Sequence, residues 1–446
     1  MSRDPVNGER ANFQKILKDA GIKFRFDAVL VSPYGRRMER PAARAETVSK
    51  LMFLVGAYYF LQAMGGNPGL HAQSLTKFLK ESLHYDTAQI SAFTFFITIP
   101  WMLKPFYGFL SDFVPLFGLR RKSYFIVTGA MAATALLMVS WFPLTSQTLP
   151  WLMFAVGMGI AFTDVLTDAV MVEKGQPLNA TARLQSAQWT SLYAGGILVA
   201  FAKGYIAQYA PLSEAVRFSM VFPGLVIVFT ILALRESPVH SSSESAVQAW
   251  NGLKTAARSR VLWGAAIFIF LFQCAPHLGN VLYYYEKDKL KFDEITIGHI
   301  DTVANISALV GALLFGVVAK RISYNALVRT MIIVGTVGGL LYLFFRDKPS
   351  AFAVVGVASM LAMMPFLGVL TIAAKVCPKN AEGSVFALLM AISNLGTQTG
   401  GVIGGHLYKV ESIGYTGLVI ISNACTLLMW LFIPLVREQK AKTNAA

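Results

Sequence analysis

PWMLKPFYGFLSDFVPLFGLRRKSY, residues 100–124, runs from an apolar stretch through Gly108 and Asp112 into Gly118, Arg120, Arg121 and Lys122, then back into apolar sequence. Set between two hydrophobic segments, it reads as the short charged loop joining two membrane-crossing helices. Gly108 is expected to let two helices approach closely. Asp112 can cap or pair near a helix end, and the basic cluster is expected to hold the loop on the cytoplasmic side.

The rest of the chain agrees with a membrane setting. Of 446 residues, 55% are hydrophobic and only 14% charged, and the mean hydropathy is +0.54, which an ordinary soluble domain does not show. A span needs roughly 20 apolar residues, and about twelve are predicted. Spans 1 to 6 are 49–66, 88–110, 123–143, 149–172, 184–208 and 216–234; spans 7 to 12 are 261–283, 295–319, 325–345, 351–374, 383–408 and 414–436. The fold class is all-α integral membrane.

A net charge of +15 raises nucleic acid as a partner, but the placement of the charge answers it. With both termini cytoplasmic, most Lys and Arg fall in cytoplasmic segments, and Lys104 and Lys203 are left within spans, Lys203 near the external end of span 5. The positive-inside rule then orients the chain, and no nucleic acid is expected. The basic residues from Arg3 to Lys50 form a tail suited to anionic lipid headgroups. Its acidic residues Asp4, Glu9, Asp19 and Asp27, and the lack of a short apolar core with a cleavage site, argue against a removable leader. Cys274, Cys377 and Cys425 have no metal-ligand spacing and read as small buried hydrophobes.

Serines and charges between 235 and 260 interrupt the apolar pattern and divide it into two sets of six spans. The predicted organisation is a basic cytoplasmic tail over 1–48, a six-helix bundle over 49–234, a cytoplasmic linker over 235–260, a second bundle over 261–436 and a cytoplasmic tail over 437–446. Gly108 and Gly316, and the pairs Gly195–Gly196 and Gly400–Gly401, recur at nearly equal offsets between the halves. That recurrence points to duplication of a six-helix unit into two pseudo-symmetric bundles.

Three groups of residues resemble the folate and biopterin transporter family of the major facilitator superfamily. The first is Lys104, Pro105, Phe106, Tyr107 and Gly108 with Ser111, Asp112, Pro115, Gly118, Arg120, Arg121 and Tyr124. The second is Asp164, Asp168, Ala169, Val170, Val172 and Glu173. The third is Leu184, Gln185, Ser186 and Trp189 followed by Gly195 and Gly196. Lys174 departs from the pattern, which has arginine there, and the second half is similar mainly in hydropathy and glycine placement. The resemblance implies proton-coupled uptake of folates or related pterins by alternating access. It also implies that Asp112, Arg120 and Arg121 lock a gate by engaging a helix of the other bundle.

The chemistry has an independent footing in Asp164 and Asp168, four residues apart on span 4 and so on one face of a helix. An ionised carboxylate inside a bilayer is costly unless paired, hydrated or protonated. Two together make a site where a proton can load and leave, or else a structural ion pair. Lys104 either snorkels to the cytoplasmic face or neutralises such a carboxylate, while Lys203 is expected to snorkel toward the external side.

A flat heterocycle would be recognised by aromatic faces, amides and hydroxyls. The candidates are Tyr58, Tyr59 and Gln62 in span 1, ahead of a break at Gly65–Gly69; Gln188 and Trp189 in span 5; Gln273 in span 7; Asp301 and Asn305 in span 8; and Asn394 and Gln398 in span 11. Each of the polar ones serves equally as an interhelical hydrogen bond. His277, His299 and His406 read as wet, interfacial groups, and Pro365 as a kink in span 10.

No metal-binding histidine motif, nucleophile elbow or phosphate-binding glycine loop is present, so no enzyme activity, metal or cofactor is expected. The reading is a multi-pass cell-membrane transporter, working as a monomer on a small folate or pterin-like solute with protons as co-substrate. A carrier of another small organic solute and a non-transporting receptor are the alternatives.

Overall fold

Polar side chains in the loops fix where the helices begin. Asp86 accepts hydrogen bonds from the amides of Ala88 and Gln89, and the Gln89 side chain accepts one from the Asp86 amide. This reciprocal cap satisfies donors that the first turn leaves open. Asp293 and Ser323 cap spans 8 and 9 by accepting from the amides of Thr296 and Ala326, and Asp347 caps span 10 reciprocally with Ser350. Between the caps the sequence is apolar, and a helix is the form in which a single segment satisfies its own backbone inside lipid.

The computed structural model describes residues 41–66, 69–237, 258–319, 321–377 and 382–436, with the side chains of 41–46, 182 and 382–384 excepted. Most of the basic tail and of the linker, the 437–446 tail, and Asn67 and Pro68 of the expected break lie outside the described residues. Among those described, nine helices are long and apolar enough to cross a membrane. They are span 3 (Lys122–Trp141), span 4 (Thr148–Gly175), span 5 (Thr181–Tyr209), span 6 (Leu212–Ala233), span 8 (Glu294–Val318), span 9 (Tyr324–Leu340 with a 3₁₀ turn Leu341–Phe344), span 10 (Lys348–Val376), span 11 (Glu382–Lys409) and span 12 (Gly414–Leu428 with Met429–Val436). Span 10 continues as α-helix through Pro365.

Spans 1, 2 and 7 fall short of that test for local reasons. Span 1, Pro41–Gly65, begins earlier than predicted and carries Tyr58, Tyr59 and Gln62. Span 2 is Thr87–Met102 followed by Lys104–Phe113, interrupted at Leu103 where Pro105 opens the second piece. Span 7 is Arg260–Gln273 and Gly279–Asp288, with Pro276 in the gap. A short helix, Ala72–Glu81, lies between spans 1 and 2.

Span 11 accommodates the broken segment of span 7 through its glycines. A Cβ on Gly400 would sit 2.5 Å from the Ala275 carbonyl oxygen, and one on Gly404 would sit 2.2 Å from that of His277. His277, expected to be wet, instead bonds the Thr397 carbonyl with Nε2 at 2.9 Å. The corresponding contact in the first half is Gly195 of span 5, whose Cβ would meet Ala63 Cβ of span 1 at 2.7 Å. Gly108 does not behave this way: its Cβ would meet Val165 at 3.7 Å, an ordinary contact, so the close approach expected there is absent.

The two halves are joined asymmetrically. One apolar cluster includes residues of both, with Leu79, Phe93 and Leu136 from the first and Tyr284, Phe292 and Phe345 from the second. The other clusters each belong to a single half. Polar bonds reinforce the shared end: Gln73 Nε2 to Glu294 Oε2 at 2.7 Å, Lys80 to Asp288 at 2.7 Å, Lys409 to Asp86 at 2.7 Å, Thr87 Oγ1 to the Gly405 carbonyl at 2.9 Å, and Tyr284 to the Tyr85 carbonyl. This is the sealed end. The opposite, basic end carries the loop of Arg120 and Arg121.

Candidate functional site

Span 4 presents Asp164 and Asp168 one turn apart, and three other spans close around them. Asp164 is buried, 6% exposed. Its Oδ2 lies 2.5 Å from Lys104 Nζ, and its Oδ1 accepts from Gln62 Nε2 at 2.9 Å. Asp168 Oδ1 accepts from the Tyr59 hydroxyl and, at 3.3 Å, from Gln188 Nε2. The interruption at Leu103 and Pro105 sets Lys104 at a helix start, where its ammonium also sits 4.4 Å from the centre of the Trp101 ring. Two carboxylates therefore share one ammonium. Placing an unmatched negative charge in such a setting is costly.

The structure thus gathers Asp164, Asp168, Lys104, Tyr59, Gln62 and Gln188. Of the two tyrosines, Tyr58 faces away. It stacks on Phe125 at 4.5 Å between ring centres and bonds Thr230 at 2.8 Å inside the core of spans 1, 3 and 6. The signal for Tyr59 is the stripe Val55, Tyr59, Gln62, which ends in an amide, whereas Leu54, Tyr58 and Leu61 are set on the apolar neighbour.

Several other residues singled out by sequence have structural partners. Gln273 donates to Ser393 and Thr397 at 3.1 Å each, tying span 7 to span 11. Lys203 does not snorkel: it pairs with Asp301 at 2.6 Å across the two halves, which withdraws Asp301 from the cavity. Asn305 donates to the Asp301 carbonyl at 2.8 Å and packs beside Gly196. Trp189 is 37% exposed, edge-on to Phe366 of span 10 at 6.5 Å, and Asn394 and Gln398 are half-buried.

The loop after span 2 forms a second charged network. The Arg121 side chain, 4% exposed, donates to Asp112, to Ser111 at 2.5 Å and to Glu173 at 2.5 Å, while Arg120 reaches Asp112 at 3.3 Å. Glu236 accepts from the amides of Arg120, Arg121 and Lys122 at 2.9, 3.0 and 2.7 Å, a carboxylate on the amino-terminal end of span 3. Gly118 adopts φ +76°, a turn conformation that glycine takes without strain. Among the described residues these bonds stay within the first half, and the predicted engagement of the other bundle is not made in this conformation.

The BT1 family profile matches residues 65–444. The chain belongs to the BT1 family. It is 27% identical over 430 residues to the folate-biopterin transporter of Synechocystis sp., covering 92% of this chain and 86% of that one. It is 25% identical to the probable folate-biopterin transporter 2 of Arabidopsis thaliana, with 87% and 83% covered, and 22% identical to folate transporter 2 of Plasmodium falciparum, with 85% and 86% covered. Among solved structures, the nucleoside transporter NupG superposes with a TM-score of 0.64 at 14% identity over 88% of this chain and all of its own. The D-xylose-proton symporter superposes at 0.63 and 13% over 90% of this chain and all of its own.

This BT1 protein is accordingly an all-helical, multi-pass membrane protein with the major facilitator fold, a transporter rather than an enzyme. Its carboxylate cluster draws on spans 1, 2, 4 and 5, all in the first half.

Proposed function

We propose that this BT1 protein takes up a folate or pterin-like solute by alternating access, driven by a proton that binds the Asp164–Asp168 pair. The observation that carries the reading is the charge imbalance around Lys104: two acids, one base and three neutral donors. With the basic end cytoplasmic, as positive-inside placement of Arg120, Arg121, Lys122 and Lys174 supports, the sealed end faces outward. The conformation is then inward-facing, and both termini are cytoplasmic.

In this account a proton on the pair neutralises the surplus charge and allows the site to pass through a closed intermediate. Deprotonation on the cytoplasmic side restores the surplus and returns Lys104 to Asp164. Gln62 supports a role in recognition, because its Oε1 is buried without a hydrogen-bond partner. A buried acceptor of this kind favours a donor from a ligand, such as an amino group on a pterin ring. Trp189 offers an aromatic face on the same span as Gln188. The names of the relatives given above support the substrate class.

Proteoliposomes containing the purified protein, challenged with labelled folic acid, biopterin and a panel of small organic anions with and without an inward proton gradient, test the reading. Gradient-stimulated uptake confined to the pterin-containing compounds is the expected result. Stimulated uptake of another solute alone would reassign the substrate, and binding without passage would remove the carrier.

A further inference from the structure

Glu286 is a buried carboxylate that the transport site does not use. It lies on the second piece of span 7, is 3% exposed, and has no hydrogen-bond or ion-pair partner among the described residues. The charged and titratable groups facing it are Asp301 and Glu294 from span 8 and Lys203 from span 5, with the phenols of Tyr342 from span 9 and Tyr415 from span 12. The cations are already engaged. Lys203 lies 2.6 Å from Asp301 Oδ2, and Lys287 lies 2.8 Å from Glu294 Oε1. Three carboxylates share two ammoniums, and Glu286 is the one left over.

We infer that Glu286 is a proton-binding site of the sealed end, filled while the two halves close over it and emptied to the water on that side when they part. The inference rests on the alternating-access reading but not on the Asp164–Asp168 pair, which lies in the first half. Opening has two opposing effects. It withdraws Lys203, which belongs to the first half, from Asp301, which belongs to the second, and that alone favours keeping the proton. It also admits water, which hydrates the carboxylate and weakens the remaining charge–charge interactions several-fold relative to the interior. Hydration wins, because Glu286 is almost wholly covered in the closed state and both nearby ammoniums are held by other carboxylates, so opening gives it water and takes no ion-pair partner from it. On opening, the O–H bond of the acid breaks, the electron pair stays on Glu286 and the proton passes to water. The closed state holds more protons, so acid on that side favours closure and alkali favours opening.

The test uses the full chain in liposomes, with Cys274, Cys377 and Cys425 replaced by serine and spin labels on S82C and K289C, two exposed positions on opposite halves of the sealed end. From about pH 5 to about pH 9, the long-distance population should rise in the otherwise native chain and stay low and flat in Glu286→Gln, which mimics the protonated acid. In the difference between native and Glu286→Gln spectra, which cancels the Asp164–Asp168 contribution, an infrared protonated-carboxyl band should be present at low pH and lost on alkalinisation. Asp164→Asn should keep the label titration. A Glu286→Gln chain that titrates like the native one would overturn the inference. Labels that separate on adding folate but do not respond to pH overturn the inference alone, whereas labels that never separate take the carrier reading with them.

Discussion

Lys104 Nζ lies 2.5 Å from Asp164 Oδ2, joining the interrupted span 2 to the middle of span 4 within one half of the protein. The Lys104 and Asp164 side chains are 21% and 9% exposed, so this is a pair largely removed from water. Removing one member of such a pair typically costs about 3–5 kcal/mol, since the survivor is left charged and unmatched. Lys104→Met should fall at the lower end of that range in thermal unfolding, because Gln62 still donates to Asp164. Adding Asp164→Asn to Lys104→Met should recover most of the stability but none of the gradient-driven uptake. Equal stability of the single and double variants would show that the pair does not hold spans 2 and 4 together.

Arg121 is more enclosed than the acids it holds. Its side chain is 4% exposed, against 39% for Asp112 and 40% for Glu173. Arg121→Gln should cost about 2–3 kcal/mol, less than a sealed pair would, because both acids can turn to water. Arg121→Lys keeps the charge but loses the forked geometry, and its melting temperature should lie between those of the native protein and Arg121→Gln. A lysine variant as stable as the native chain would leave the fork without a role.

The tie between Lys409 and Asp86 behaves differently, since both side chains are largely in water. Partial burial works against ionisation of Asp86, but the Lys409 bond and the amides of Gln89 and Ala88 together hold its carboxyl below the ordinary range. A depressed value means that its contribution is complete above the unfolded value of about 3.9 and is lost as pH falls through the folded one. Stability should therefore be flat in this respect through the neutral range and decline below about pH 4. Lys409→Met should cost less than about 1 kcal/mol, and Asp86→Ala about 1 kcal/mol more, because the helix cap goes with it. Thermal unfolding across pH checks both, and a reversed order of the two variants would refute the ranking.

Spans 5 and 8 meet backbone to backbone at Gly204 and Gly298. A Cβ on Gly298 would lie 2.8 Å from Gly204 Cα and 3.0 Å from the Ala200 carbonyl. Gly298→Val must push the halves apart near the Lys203–Asp301 pair, at an overpacking cost of about 1–3 kcal/mol. The expected outcome is greater reactivity of a cysteine placed at buried Ile300 toward a water-soluble thiol reagent. Unchanged protection at that position would mean the contact bears no load in sealing this end.

Much of this architecture was legible in the chain because lipid imposes a severe rule on polar atoms. Long apolar runs had to be helices, and Asp164 inside one had to have a reason. Its partner was less legible: sequence left Lys104 divided between the membrane surface and a carboxylate, and only the packing of span 2 on span 4 decides. Lys203 and Asp301 were read separately, one as a surface lysine and the other as a cavity acid, because a contact between halves leaves no trace in local spacing. Tyr58 and Tyr59 are adjacent, and one step of helical rotation separates core from site. Gly108 looked like a packing glycine by type, yet its neighbour Val165 stands at ordinary distance, whereas Gly298 and Gly400 carry the tight approaches.

The central claim is that the Asp164–Asp168 pair carries the proton that drives transport, and substrate-induced proton movement tests it most directly. Liposomes holding the native protein and a trapped pH dye, with no gradient imposed, should acidify inside when folate is added outside. Asp164→Asn, present at equal density and correctly folded, should leave the dye signal flat. Acidification by Asp164→Asn at the native rate would contradict the account.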